Sequence, residues 1–394
     1  MRIKQIPTDF GVHEQLSVQP GTTGAYAIYR VEKREVTTLQ AQAQLAAALG
    51  YQRSALQFPG LKDRRSVATQ YASVKGNPPP HIQGERWSAT HAGRLDRPLY
   101  PTDIAGNRFT LTLRDLSARE AQQLPPRLLE MAQHGLPNYF DRQRFGSYSP
   151  QAGFLGAQIL ARDAEAALRA YLATPYPNDP AKVKRFKKVA AAHWGNWETL
   201  FAAAPRPSNF RSVLTYLRDH PAGFRKALNL IPRQLLSLYL SAYQSHLWNR
   251  IVGQYLETVL TQETQGFLWV EIAGTRLPVY RTLPAGLQNK LKKQAAVMPH
   301  HRAVYGEPKL AAAAQAVLQA EGLAMNDLKA RILRQAYLSR HQRPLLLFPA
   351  GMAIMREPTS DERFPGRQKL VIEFTLPRGS YATWVIRCAN VPMS

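Results

Sequence analysis

The way secondary-structure signals are partitioned along this chain constrains its fold more than any single motif. Short β-rich segments gather at both ends, while residues 157–260 are dominated by Ala, Leu and Arg at helical spacing. Near the start, residues 25–31 follow the turn Pro20-Gly21-Thr22-Thr23-Gly24 and read as a strand. Thr37 or Thr38 caps a helix over about 39–49, ended by Gly50. Residues 56–58 and 67–74 read as strands joined by a polar turn over 59–65, and 109–114 alternates as a half-buried strand does. Ser117 opens a helix to about Gln133 that Pro125 and Pro126 should break or kink. A β-like stretch at 267–272 interrupts the middle, and helices resume over about 309–337. The tail returns to strands at 344–348, 370–376 and 381–387.

Sheet-rich ends around a helix-rich middle imply an α+β fold of two domains, the first discontinuous. A mixed-sheet domain is expected from residues 1–154 and 338–394, interrupted by an insertion over 155–337. Nothing repeats at a solenoid period.

Lys and Arg number 51 against 27 Asp and Glu, a formal charge of +24, so a polyanionic partner is favoured over a small neutral or cationic one. The single cysteine, Cys388, excludes an internal disulfide framework and a multi-cysteine zinc site, and reads as a small hydrophobe on a strand face. There is no apolar run near 18 residues and no signal-peptide core at Met1–Phe10, so no membrane association and a cytoplasmic location are expected. No phosphate loop, dinucleotide fingerprint, H-E-x-x-H or C-x-x-C occurs, and the pair His300-His301 reads as loop surface rather than metal ligands. The expectation is therefore a protein without metal or nucleotide cofactor.

Two basic clusters sit in the helix-rich middle. Lys182-Val183-Lys184-Arg185-Phe186-Lys187-Lys188 makes Lys184, Arg185, Lys187 and Lys188 candidates for RNA backbone contacts, with Phe186 placed to stack on a base. Lys290, Lys292 and Lys293 form the second. A solvated helix face is the plain alternative for both.

An aspartate in a basic turn is, taken alone, most often a turn former or ion-pair partner. However, Gly60-Leu61-Lys62-Asp63-Arg64-Arg65-Ser66-Val67-Ala68-Thr69-Gln70 resembles the G-x-K-D-[KR]-x-[AS]-V-[TA]-x-Q signature of the TruD family of tRNA pseudouridine synthases. Other segments agree in order: Lys4 to Glu14, Pro137-Asn138-Tyr139-Phe140-Asp141-Arg142-Gln143-Arg144-Phe145-Gly146, Ser241-Ala242-Tyr243-Gln244-Ser245-His246-Leu247-Trp248-Asn249, and Leu376-Pro377-Arg378-Gly379-Ser380-Tyr381-Ala382-Thr383. Together they span nearly the whole chain.

The resemblance implies a pseudouridine-synthase-type sheet domain with a helix-rich insertion, and isomerisation of a uridine in tRNA at position 13 of the D arm. The base leaves C1′, turns and rejoins through C5, which needs no redox agent or activated group. By motif position Asp63 is the catalytic aspartate, able to attack covalently or to take a proton from the sugar. Lys4 matches a lysine expected beside that carboxylate, where a cation favours the charged form. Phe140 matches the aromatic expected to stack on the flipped base and Asn138 the residue expected on its edge, with Phe10 and Tyr381 as pocket aromatics. Arg144 could contact phosphate or brace its loop. Thr8, Asp141 and Cys388 depart from the family pattern. A monomer acting on tRNA is expected. The rival is a non-catalytic RNA-binding protein or RNA-folding chaperone, which would need the basic surface but not Asp63; a methyltransferase is a weaker third reading.

Overall fold

The computed structural model describes residues 1–263 and 267–391. The chain forms two compact units, one of Met1–Leu136 and Leu347–Asn390 and one built from Pro137–Leu346.

The first unit carries an eight-stranded sheet. Its strands are β1 (Phe10–Leu16), β2 (Tyr26–Arg34), β3 (Val67–Lys75), β4 (His81–Gln83), β5 (Trp87–Leu95), β6 (Ile104–Leu116), β7 (Ala350–Ser360) and β8 (Gln368–Pro377). The order is β7-β8-β6-β1-β3-β2-β5-β4. The sheet is mixed: β1 and β3 run parallel, with Val12 opposite Ala68, and the other pairs are antiparallel. Placing β3 beside β1 requires a crossover, supplied by helix α1 (Thr38–Ala48) and the loop after it. Thr37 caps α1 by accepting from the Gln40 amide, and Ala41, Leu45 and Ala46 bury against Ala27, Tyr29, Val31 and Ala72 of the sheet.

Helix α2 (Ala118–His134) is continuous through Pro125 and Pro126, against the expected break. A Ser117–Glu120 capping box starts it, and Ala121, Leu124, Leu128 and Met131 form its buried face. The prolines lie off that face, so the lost amide donors fall where burial does not depend on them. The tail segment 381–387 is also corrected, because Ala382–Ala389 is a helix. Its buried residues Ala382, Val385, Ile386 and Ala389 recur at helical spacing, and this outweighs the β-branched content that suggests a strand. Cys388 accordingly lies on a helix. Residues 56–58 make one bridge, Gln57 to Ser73, rather than a strand. The long strand β7 carried no sequence signal, since its pairing with β8 is interrupted by three register shifts.

The second unit is mostly helical and is organised on the 31-residue helix Arg233–Glu263. Leu247, Trp248, Ile251, Val252 and Tyr255 of that helix are fully buried. It packs on Leu155–Leu160 and Pro308–Ala320, and a two-stranded ribbon pairs Leu268–Ile272 with Thr275–Val279. After Pro308–Ala320 only a short 3-10 turn at Met325–Asp327 continues the helices expected to 337.

The unit boundaries at Leu136 and Leu347 differ from the expected 154 and 338. The segment after Leu136 is held within the second unit. The Asn138 amide donates to the Leu345 carbonyl, and Asn249 grips the Phe140 backbone from both sides, accepting from its N–H at 2.9 Å and donating to its carbonyl at 2.8 Å.

Candidate active site

The Asp63 turn leaves α1 and enters β3, and buried polar groups fix it from below. The Glu14 carboxylate, fully buried on β1, accepts from Lys62 Nζ at 2.6 Å and from the Tyr71 amide at 3.0 Å. Lys62 Nζ also donates to Asn107 Oδ1 at 2.8 Å, and the Lys62 amide donates to Thr38 Oγ1 at 2.9 Å. Removing one member of such a pair leaves an uncompensated buried charge, at a cost of about 3–5 kcal/mol. Gly60 is required beside this pair, because a Cβ there would stand 2.6 Å from Glu14 Oε1.

The main-chain carbonyl of Asp63 accepts two hydrogen bonds, from Ser66 Oγ at 2.8 Å and from Lys33 Nζ at 2.7 Å. Lys33 is 2% exposed and also donates to the Val36 carbonyl at 2.9 Å, tying the turn to the start of α1. Burial pulls its ammonium down to about 8, with Asp63's charge opposing and Lys62's adding. The Asp63 backbone is thus fixed while its side chain stays 56% exposed.

Lys4 reaches that side chain from the N-terminal segment, its Nζ 2.7 Å from Asp63 Oδ2. Its backbone sits at φ +57, a left-handed conformation that a non-glycine residue holds only when its neighbours are anchored. Arg2 exchanges backbone hydrogen bonds with Arg114 before it, and Asp9 Oδ2 accepts the Gln5 and Ile6 amides after it. Arg114, 4% exposed, holds Asp9 and Asp361 at 2.8 Å each. The Lys4 ammonium also lies 4.0 Å above the Phe10 ring.

Phe10 is 5% exposed and edge-packed on Phe109, which in turn meets Phe374 across the sheet. It carries Lys4 on its face. Tyr381, half-buried, is the residue before the C-terminal helix and accepts the Trp384 amide on its carbonyl.

Asn138 and Phe140 belong to the second unit and are built round Arg343, which the sequence reading did not single out. Arg343 donates to the Asn138 carbonyl and to Asn138 Oδ1 at 2.7 Å each, while Asn138 Nδ2 donates to the Pro344 carbonyl at 3.1 Å. Its guanidinium covers the Phe140 ring at 4.1 Å, and Trp248 meets that ring edge-on at 5.6 Å. Asn138 and Phe140 are 3% and 6% exposed, so both amide ends of Asn138 and one face of Phe140 already have partners. The Arg144 guanidinium lies 5.8 Å from the same ring, and its Nε donates to Ser245 Oγ.

The first basic cluster forms helix Ala181–Ala192 and divides by face. Lys184, Arg185 and Lys188 lie on its exposed or half-exposed side, with Lys184 Nζ donating to the Pro177 carbonyl. Lys187 does not join them. It is 3% exposed, pairs with Asp179 at 2.9 Å and lies 4.3 Å over Tyr176. Phe186 likewise stacks on Phe210 in the core, because the period of the helix turns both residues inward. His300 is buried rather than on the loop surface, and its Nδ1 accepts the Arg302 amide. Among the described residues no group of three or more His, Cys, Asp or Glu side chains is arranged to hold a metal ion, and no helix is long and apolar enough to cross a membrane.

The family model for tRNA pseudouridine synthase D (TruD) matches residues 1–388. The chain belongs to the TruD family. A probable tRNA pseudouridine synthase D of Pyrobaculum neutrophilum is 30% identical over 98% of this chain and 90% of its own. The tRNA pseudouridine synthase D of Aquifex aeolicus is 26% identical over 99% of each chain. The crystal structure of the TruD protein of Methanosarcina mazei matches with a TM-score of 0.74 over 98% of this chain and 93% of its own, at 24% identity, and shows the shared fold. In this TruD chain the motif aspartate and lysine form one ion pair, while the motif residues Asn138 and Phe140 are carried by a different unit. Lys33 and Arg343 were illegible in the sequence because the site residues they hold, Asp63 and Asn138, lie 30 and 205 residues away.

Proposed function

We propose that this TruD chain isomerises uridine to pseudouridine in tRNA, at position 13 of the D arm, as a cytoplasmic monomer without a nucleotide cofactor. The observation that carries the reading is the Lys4–Asp63 pair at 2.7 Å, with a half-exposed carboxylate on an otherwise immobilised turn. A glycosidic isomerisation needs a carboxylate that reaches the sugar and does not move while the base turns.

The Asp63 carboxylate starts the reaction by attack at C1′ or by removing a sugar proton, and the N1–C1′ bond breaks. The uracil leaves with the N1–C1′ electron pair and rotates. C5 bonds to C1′ as the Asp63 ester is displaced or the sugar proton is returned, and N1 takes up a proton while C5 loses its own, so the product is an isomer of the substrate and no electrons are exchanged. Lys4, held over Phe10, keeps the carboxylate aimed. Phe140 supplies the platform for the turning base and Asn138 its edge contact. Use of Asn138 for that contact requires exchange of its bond to Arg343 or Pro344. Lys184, Arg185 and Lys188 are assigned to RNA phosphates, Lys187 being spent on Asp179. Tyr381 remains a pocket aromatic in this reading.

Carbodiimide modification followed by reverse transcription reads the site directly. Incubation of an unmodified tRNA pool with the protein should create one stop, one nucleotide to the 3′ side of position 13. Stops only elsewhere would refute the positional assignment, and a pool without stops would refute the isomerisation.

A further inference from the structure

The helix-rich unit contains a cavity of about 490 Å³ that none of the motifs touches. It lies where helix Phe224–Leu228 hands over to the long helix beginning at Arg233, with residues 334 and 335 forming the opposite wall. Four cations line it, Arg225, Lys226, Arg233 and Arg334, and no carboxylate does. Among the described residues none of the four takes part in an ion pair within 4.0 Å. Like charges gathered without counter-charge repel one another, and a polyanion relieves that repulsion.

The cavity is also built rather than incidental. Asn229 donates from Nδ2 to the Arg225 and Ile332 carbonyls at 2.8 Å each and accepts the Arg334 amide at 2.9 Å, so one side chain ties both walls together. Its floor is apolar, made of Leu230, Ile231 and Leu236, and Leu230 is 39% exposed. A cationic rim over an apolar floor, in a volume within the range of small-ligand sites, fits a ligand with an anionic group on one side and a flat apolar ring on the other.

We infer that this cavity binds a nucleotide, its phosphate on Arg233 and Arg334 and its base on Leu230. An unpaired nucleotide of bound tRNA is one source, and this part rests on the tRNA reading above; a free nucleoside monophosphate is the other.

The test measures affinity for a tRNA transcript across a potassium chloride series, together with calorimetric titration of uridine monophosphate, for the wild type, Arg233→Gln/Arg334→Gln and Leu230→Asn. Thermal melts confirm that each variant folds. If the tRNA is the source, the double variant binds it about tenfold more weakly, and the slope of log affinity on log salt shrinks by about 0.7, as expected for one lost phosphate contact on an unpaired nucleotide. Leu230→Asn weakens binding with that slope unchanged. If tRNA affinity is unaltered while wild-type binding of uridine monophosphate disappears in both variants, the nucleotide site stands and its ligand is free. Unchanged behaviour towards both ligands overturns the inference. Wild-type tritium release from C5-labelled tRNA, run alongside, reports on the isomerase reading independently: release with variant binding of both ligands unaltered sinks only the cavity, and tRNA bound without release sinks only the isomerase.

Discussion

At the scale of single residues, the turn that presents Asp63 depends on a lysine that never meets the carboxylate. Lys33 holds the Asp63 and Val36 carbonyls from a site that is 2% exposed. Lys33→Met keeps the bulk and removes both donors. Tritium release should fall by about 10- to 100-fold in kcat with KM nearly unchanged, because the Asp63 carboxylate, to which the proposal assigns the chemistry, is displaced while RNA contacts persist. A shift confined to KM would contradict that role. The same residue has a pH signature. Its folded ammonium titrates near 8 against 10.5 for an ordinary lysine, so between those values the unfolded chain carries a proton that the folded chain has shed. Stability from this group therefore rises with pH across that window. Denaturant midpoints taken at pH 8 and pH 9.5 should show that increment in the wild type and its absence in Lys33→Met.

At the scale of elements, the long helix Arg233–Glu263 carries an acid-sensitive group. His246 on that helix packs among Phe145, Phe154 and Tyr243, and burial, with Arg250 adding, pulls its pKa down to about 3. The unfolded imidazole takes up its proton near 6.5, so stability falls as pH drops from about 6.5 towards 3. His246→Gln should flatten that part of the stability–pH curve, as followed by far-ultraviolet circular dichroism in urea; an unaltered slope would assign the acid sensitivity elsewhere. Elements were legible where one local pattern decided them, as with the Thr37 cap of α1 and the strand β3. They were not where burial on a neighbour overrode composition. The helix Ala382–Ala389 looks like a strand until its buried positions are seen, and β7 hides its alternation behind register shifts. Lys187 and Phe186 show the same limit at a basic run, since five cations in sequence do not say which of them a helix turns inward.

At the scale of the whole molecule, the chain divides its proposed work between two units. The sheet unit holds the ion pair Lys4–Asp63, and the helical unit holds Asn138, Phe140, Arg343 and exposed cations on helix Ala181–Ala192. The excess of +24 charges suits an RNA substrate and says nothing about chemistry, which the proposal assigns to Asp63. The deciding measurement is tritium release from tRNA transcripts labelled at uridine C5, comparing wild type with Asp63→Asn, a near-isosteric change that leaves the RNA-binding surface intact. The account predicts release by the wild type and a loss on the order of 10³-fold or more in the variant with tRNA affinity retained. Equal release from both proteins would take the chemistry away from Asp63, and tight binding of tRNA with no release from either would contradict the account and leave an RNA-binding protein in its place.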